Sequence, residues 1–534
     1  MSTLKYCTCK TLLSYIIDRA NMSATKDYET VRPLKKQKTD SKLEADSSDD
    51  EELPQYLLQN SPTQDGSAND DGFCLDTINR HLLDFDFEKV CLITLSNVNV
   101  YCCLVCGKFF QGRSKSSHAY LHSVNANHRV FINLETAKTY ILPDNYELTT
   151  QKALKHLLDI KLLLNPVYSK VAIQNLSKKV QIGHDLNHKP YVIGFIGLNN
   201  LSANDYANVI FQALSHIPPI RDFYLSLTLP EKKDLNERII RKSQLNNLFG
   251  LLVRKLWSSY LFKGHISPHE LLQYISSVSK KKFGIAEQKS PKAFMVWLLN
   301  QLHIQLIKSI KNNSTIFSKS LQGLIQVSRI PITATTNELT NKVDFNVQDK
   351  DKVTNILKFW VLSLDLPGNA LFQGTSNQGE QTSQIPQVSI QLLLEKYDGK
   401  TTVQVSRAEL KAYQLVEPLP PYIIFHIDRG LDNDDENSRG NPTVVKFPSV
   451  IDMSPYVLNL GNEPIRYKLI SSIKHELIPG IKLDHGDDKH QWSVNLCKDQ
   501  KTNEWVTIRD LEVENCESEL MFLDESFIQV WEQC

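Results

Sequence analysis

Apolar residues recur along the middle of this chain at three- and four-residue spacings, whereas its later part breaks into short runs of β-branched and aromatic residues. Between Leu148 and Leu164, the positions of Leu154, Leu157, Leu158, Ile160 and Leu163 predict a helix. A second helix is predicted over Phe294 to Ile310, where Trp297, Leu298, Leu302 and Leu306 share a face. Strands are predicted at Phe359 to Leu366, Tyr422 to Ile427, Tyr467 to Ile473, Trp492 to Leu496 and Trp505 to Ile508. Helices followed by a mainly antiparallel sheet make an α+β fold. Residues 367–385 and 430–442 are polar, with glycine and asparagine, and read as long loops; residues 165–190 read as a connector. Residues 23–70 are rich in Ser, Asp, Lys and Gln with few aromatics, the composition of a mobile tail.

A length of 534 residues exceeds one core and indicates two or three domains, with 41% hydrophobic residues to fill them. The expected divisions are a tail over 1–72, a Cys/His-rich module with its following helix over 73–168, a linker over 169–190 and a large domain over 191–534. Sixty basic and sixty acidic residues cancel, so bulk charge gives no reason for broad phosphate-backbone binding, and contact with RNA is expected to be indirect. No run approaches the roughly 20 apolar residues of a membrane span. The first twenty residues are interrupted by Lys5, Lys10, Asp18 and Arg19 and lack a cleavage site, so no secretory signal is expected; whether Met1 or Met22 opens the protein stays open. In the tail, Arg32-Pro-Leu-Lys-Lys-Gln-Lys38 suits a nuclear import receptor or is a solvated charge run. Ser47-Ser-Asp-Asp-Glu-Glu52 suits an acidophilic kinase or is acidic filler.

The ten cysteines cluster: two near the start, five between Cys74 and Cys106, three near the end. Histidines accompany the middle group, which favours metal in a reducing compartment over a disulfide framework. Cys103 and Cys106 offer two thiolates on one turn, and His122 and His128 follow six residues apart. Two sulfurs and two imidazoles at these spacings suit tetrahedral Zn2+.

From Gly107 to Leu496 there is no cysteine, yet Gly197-Leu-Asn-Asn-Leu-Ser-Ala-Asn-Asp-Tyr-Ala-Asn208, followed by Gln212-Ala-Leu214, resembles the nucleophile segment of the ubiquitin-specific proteases. That family's order is Gly-Leu-x-Asn-Leu-Gly-Asn-Thr-Cys-Tyr-Met-Asn. The resemblance sets Asp205 on the cysteine and Ala203 on the asparagine that helps hold the oxyanion. A carboxylate does not reproduce a thiolate's nucleophilicity. A papain-like hydrolase also needs a histidine base. Aligning Trp492 with the family's Gly-His-Tyr strand puts Gln491 on the base, and this register places Trp492, Val494 and Leu496 on one strand face; a one-residue shift would put His490 there. Read from the residues alone, Asp205 is a polar helix-start residue at the positive end of a dipole. Leu419-Pro-Pro-Tyr-Ile-Ile-Phe-His426 resembles another family strand, and Gln288-Lys-Ser-Pro-Lys-Ala-Phe294 keeps only the ends of the family's Gln-Gln-Asp-Ala-His-Glu-Phe. The resemblance implies a papain-like fold with helical thumb, sheet palm and fingers, and no catalytic residue.

Cys74 to Glu147 resembles the UBP-type zinc finger, including Gln111-Gly-Arg113 and His118-Ala-Tyr-Leu-His122. A second zinc on Cys74, Cys91 and His118 is left incomplete, because Gln111 stands where typical members carry a cysteine. Of the pocket that holds ubiquitin's tail in some fingers, Arg113 is the one residue identified. The pairing of this finger with Leu83-Asp-Phe-Asp-Phe-Glu-Lys89, Leu142-Pro-Asp-Asn-Tyr-Glu147 and Ala203-Asn-Asp-Tyr-Ala-Asn208 resembles the inactive, splicing branch of the protease family, the snRNP assembly-defective group. That resemblance implies a nuclear, non-catalytic factor that assembles or maintains the tri-snRNP through its proteins. The alternative is a reader of ubiquitin or a ubiquitin-like protein that does not cleave.

Overall fold

The computed structural model describes residues 74–337, 342–347, 352–367, 386–406, 409–430, 440–458, 463–482 and 488–534. The tail with its basic and acidic clusters, and most of both predicted loops, lie outside these residues.

Period-two burial builds the first module. Tyr101 and Cys103 of strand Val100–Cys103 face a small core with Phe110, Phe131 and Tyr140, while Val100 and Cys102 face the large core of the chain. The antiparallel sheet runs in the order Phe109–Gln111, Val100–Cys103, Val130–Asn133, Thr139–Ile141, Tyr146–Glu147, with helix His118–Ala126 against it. The turn after Cys106 needs Gly107: its φ is +72°, and a Cβ there would sit 2.1 Å from the Leu82 carbonyl oxygen.

The helix predicted over Leu148 to Leu164 is instead two, Gln151–His156 and Leu158–Leu164. The chain breaks at Leu157, where Arg80 donates to the His156 carbonyl (2.8 Å) while forming an ion pair with Asp159 (2.5 Å). A distant side chain thus satisfies a carbonyl that an unbroken helix would have used. The predicted connector also holds structure. Helix Lys170–Leu176 is capped by Ser169, and hairpin strands Ile182–His184 and Pro190–Val192 flank a turn in which the Asp185 carboxylate accepts from the Asn187 and Lys189 amides. Such polar side-chain caps leave no apolar rhythm in the sequence.

Helix Asp205–Ser215 is buried along its whole length. Against it pack Pro218–Ser226 and Pro291–Ile310, and Phe249 of helix Gln244–Leu256 meets its Phe211; Pro291–Ile310 is longer than the predicted Phe294 to Ile310 because Ser290 caps it and Pro291 fits its first turn. The main sheet follows the order Leu362–Asp365, Tyr422–Asp428, Ser526–Gln533, Arg466–Lys482, Asp488–Asp499, Glu504–Arg509, Glu512–Cys516. Only its first pairing is parallel. The strand expected from Phe359 to Leu366 is divided at Trp360, whose indole donates to Asn300 (2.8 Å). A second sheet contains the long strand Gly323–Asn337, which sequence reading missed. Its outer neighbour Val353–Phe359 pairs with Gly323–Asn337 alone among the described residues, and exposes Val353, Ile356 and Leu357.

The finger is fastened to the larger domain through Leu83 to Lys89. Leu83 and Phe85 enter the large core. Asp84, between those two, pairs with Lys263 (2.7 Å), and Asp86 accepts from buried Lys255 (2.6 Å) and the Ser267 amide (3.0 Å). Lys89 pairs with Glu270 (3.2 Å). Removing one partner of the buried pair strands the other charge. Lys255→Met is expected to cost about 3 kcal/mol, and Asp86→Asn added to it distinctly less than the sum of the singles. Urea unfolding of the four proteins of this cycle measures both, and additive losses would show the pair to be uncoupled.

Candidate functional site

Strand Gly197–Leu198 leads into helix Asp205–Ser215 through a turn held by asparagines. Gly197 is required because a Cβ would lie 2.7 Å from the Leu511 Cα. Asn204 accepts from the Leu201 amide (2.7 Å) and donates to Asn208 (3.0 Å); the Leu198 amide donates to the Asp510 carbonyl (2.8 Å).

Asp205 is the first residue of the helix and nearly inaccessible. It stands in the first turn of the helix, as its reading as a polar helix-start residue expects. Its Oδ2 also reaches beyond the helix, accepting from the Trp492 amide of the main sheet (3.0 Å) and from Gln288 Nε2 (2.6 Å), so one oxygen joins helix, sheet and the segment before Pro291–Ile310. Gln288 is the retained end of the degenerate segment read from the sequence. Oδ1 is buried with no partner. Burial, partly opposed by the Trp492 amide and reinforced by the Asp510 charge, pushes the Asp205 carboxyl from 3.8 up to about 6.

Gln491 donates to Asp510 (3.2 Å), whose carboxylate also accepts from Asn200 (2.9 Å) and Asn208 (3.2 Å). His490 is paired in register with Leu477 on the same hairpin. Trp492, Val494 and Leu496 all face the core, with the Trp492 ring against His475 and Phe527. Asp510, at φ +49° just after strand Glu504–Arg509, was not singled out from sequence. The signal available was an acidic residue ending a Trp-x-x-Ile strand, which is indistinguishable from an ordinary turn. The assembled groups are two carboxylates, three asparagines and two glutamines. Among the described residues, the hydrogen bonds of Asp205 run to the Trp492 amide and Gln288, and those of Asp510 to amide side chains, so the arrangement joins helix, sheet and connecting segments.

The metal candidates do gather. Ligand atoms of Cys103, Cys106, His122 and His128 lie within 4.8 Å of one another. Cys103 Sγ is 3.5 Å from His128 Nδ1, Cys106 Sγ is 3.4 Å from His122 Nε2, and the two ring nitrogens are 3.1 Å apart. A tetrahedral zinc with ordinary bond lengths has edges of about 3.3 Å between nitrogens and about 3.6 Å between nitrogen and sulfur. The donor set therefore fits that ion. Cys74, Cys91 and His118 form no such group among the described residues. The Cys91 sulfur instead meets the Thr94 hydroxyl and the amides of Ile93, Thr94 and Gln111. Arg113 lies over the Tyr140 ring, 4.4 Å from its centre, and donates to Asn145.

Comparison with known proteins follows this division. Residues 196–531 match the family described as ubiquitin carboxyl-terminal hydrolase, and residues 90–153 match the zinc finger found in ubiquitin hydrolases and other proteins. A Schizosaccharomyces pombe protein named probable mRNA-splicing protein ubp10 is 38% identical over 471 residues, 86% of this chain and 88% of the relative. The Saccharomyces cerevisiae pre-mRNA-splicing factor SAD1 is 32% identical over 465 residues, 86% of this chain and 93% of its own length. A crystal structure described as an essential yeast splicing factor superimposes with a TM-score of 0.66 at 31% identity, covering 86% of this chain and all of that one.

The raised Asp205 pKa carries a sign. The folded state favours the protonated carboxyl, so its contribution is fullest below pH 3.8 and is lost as pH rises through about 6. Asp205→Asn keeps an acceptor for Trp492 and removes the charge, though its new amide protons find no obvious acceptor. It is expected to exceed the parent in stability by about 1–2 kcal/mol at pH 7.5, with the advantage gone near pH 4. Denaturant titrations at the two pH values test this, and a less stable variant at pH 7.5 would contradict it.

Proposed function

The chain belongs to the ubiquitin carboxyl-terminal hydrolase family, and from that premise we propose that it is a non-catalytic nuclear member that serves pre-mRNA splicing by holding tri-snRNP proteins together. The observation that carries this reading is Asp205. At the position where the family's nucleophile is expected, a buried carboxylate spends one oxygen on the Trp492 amide and Gln288. Gln491, at the position of the base, has no imidazole and is engaged by Asp510. A site built this way cannot attack an isopeptide bond, and the fold around it serves as a binding surface.

The splicing role rests on the two relatives named for splicing, each aligned over most of its own length, and on the solved splicing factor of the same fold. The tri-snRNP as the particular partner comes from the sequence resemblance. The ubiquitin-reader alternative is less favoured because Arg113 is already stacked on Tyr140 and bonded to Asn145. Zinc would be held by Cys103, Cys106, His122 and His128, closing the turn at Gly107 onto helix His118–Ala126. Burial pushes the free Cys103 thiol up to about 12. Zinc binding therefore displaces a tightly held proton from that thiol and weakens as pH falls.

Tagged protein recovered from nuclear extract at moderate salt is expected to bring down the small nuclear RNAs and proteins of the tri-snRNP, read by RNA sequencing and mass spectrometry. A cysteine-reactive ubiquitin probe should leave the protein unlabelled. Ubiquitin conjugates recovered without those RNAs would favour the reader, and site-specific labelling would refute the inactive assignment. Separately, Cys106→Ser should drop bound zinc from about one per chain to none and unfold the finger, since a structural zinc contributes on the order of 10 kcal/mol. Metal analysis with circular dichroism checks both losses.

A further inference from the structure

Between Val90 and Gly107 the chain carries no charged residue. Within that run a short loop turns four aliphatic side chains to solvent: Leu92 (61% exposed), Ile93 (59%), Leu95 (75%) and Val98 (66%). The loop is not slack. The Cys91 amide donates to the Ser96 carbonyl and the Leu95 amide to the Cys91 carbonyl, both at 2.9 Å. The Gln111 side chain accepts from Thr94 (2.9 Å) and donates to Ser96 (3.2 Å), and the Leu92 amide is tied to Phe109 (2.9 Å). At the tip, Leu95 is held at φ +56°, a left-handed conformation costly for a leucine. Exposed aliphatics and backbone strain each lower stability, and here a hydrogen-bond network maintains both.

We propose that this loop is a preorganised anchor that inserts Ile93 and Leu95 into an uncharged apolar groove on another spliceosomal protein. The chemistry selects that occupant. Without a basic residue the loop offers nothing to a phosphate backbone. Lipid-inserting segments place aromatic and basic residues around their apolar tip, whereas residues 90–107 hold one aromatic, Tyr101, which is buried. A second copy is also disfavoured: the four side chains present roughly 400 Å², about half of what each partner of a standard interface buries, and two convex tips do not fill one another. A small, rigid, aliphatic projection matches the buried centre of a larger contact, whose remainder other surfaces supply.

The inference rests on the splicing role proposed above, and the test separates the two. Full-length tagged protein, its Ile93→Asp/Leu95→Asp variant and Leu95→Met are taken through the same nuclear-extract recovery, with zinc content and thermal unfolding confirming that each is folded. Leu95→Met should match the parent, and the aspartate pair should lose at least tenfold of the small nuclear RNA signal. Leu95→Gly relieves the left-handed strain, so its Tm should rise while its recovery falls. A photocrosslinking residue at position 95 should join one identified spliceosomal protein. Equal recovery by parent and aspartate variant would overturn the anchor and leave the splicing role standing. Crosslinking only to a second copy of this chain would likewise overturn it, and failure of the parent itself to recover those RNAs would overturn both.

Discussion

One carboxylate oxygen ties the buried helix of the large domain to its main sheet. Asp205 lies where helix, sheet and the segment before the longest helix converge, and its Oδ2 meets the Trp492 amide and Gln288 at once. Much of the packing nearby presumes that junction. Trp492 is held against His475 and Phe527, Tyr206 reaches the Gly284 carbonyl, and the Ala203 amide reaches the Ile285 carbonyl. An ionised group would ordinarily be an expensive choice for such a place. It is tolerated because fixed dipoles converge on one oxygen, while the other remains unpartnered.

The fold's outline was legible where burial is periodic. The helix beginning near Phe294 and the face formed by Trp492, Val494 and Leu496 were readable because their apolar positions answer to one neighbour over many residues. Elements shaped by single polar contacts were not. Arg80 divides a predicted helix from about 76 residues away, and Asp185 shapes a hairpin turn inside an apparent connector. The long strand Gly323–Asn337 was lost for another reason: Ser328, buried against the Thr354 hydroxyl (3.4 Å), and exposed Arg329 stand side by side and break the apolar alternation of Ile325 and Val327.

The candidate site divided in the same way. The four metal donors were recoverable because two of them share a tight turn and two lie on and just after one helix, so local spacing fixes most of the geometry. Asp205 was recognised by family pattern, but its partners are distant in sequence: Gln288 is 83 residues on and Trp492 is 287. Asp510 left no trace, since a carboxylate ending a strand has the same sequence appearance whether it faces water or gathers three amide side chains.

The second sheet ends in a strand of mixed character, in which Val353, Ile356 and Leu357 are exposed beside Lys358. This outer strand, Val353–Phe359, carries no proline and no bulge, and pairs with no second strand among the described residues. Sheets in solution ordinarily finish with some obstacle to further growth. Here the exposed Lys358 is that obstacle, a charge that any further strand laid along this edge would have to desolvate. The charge of Lys358 is what sets that edge against pairing with the same edge of another molecule.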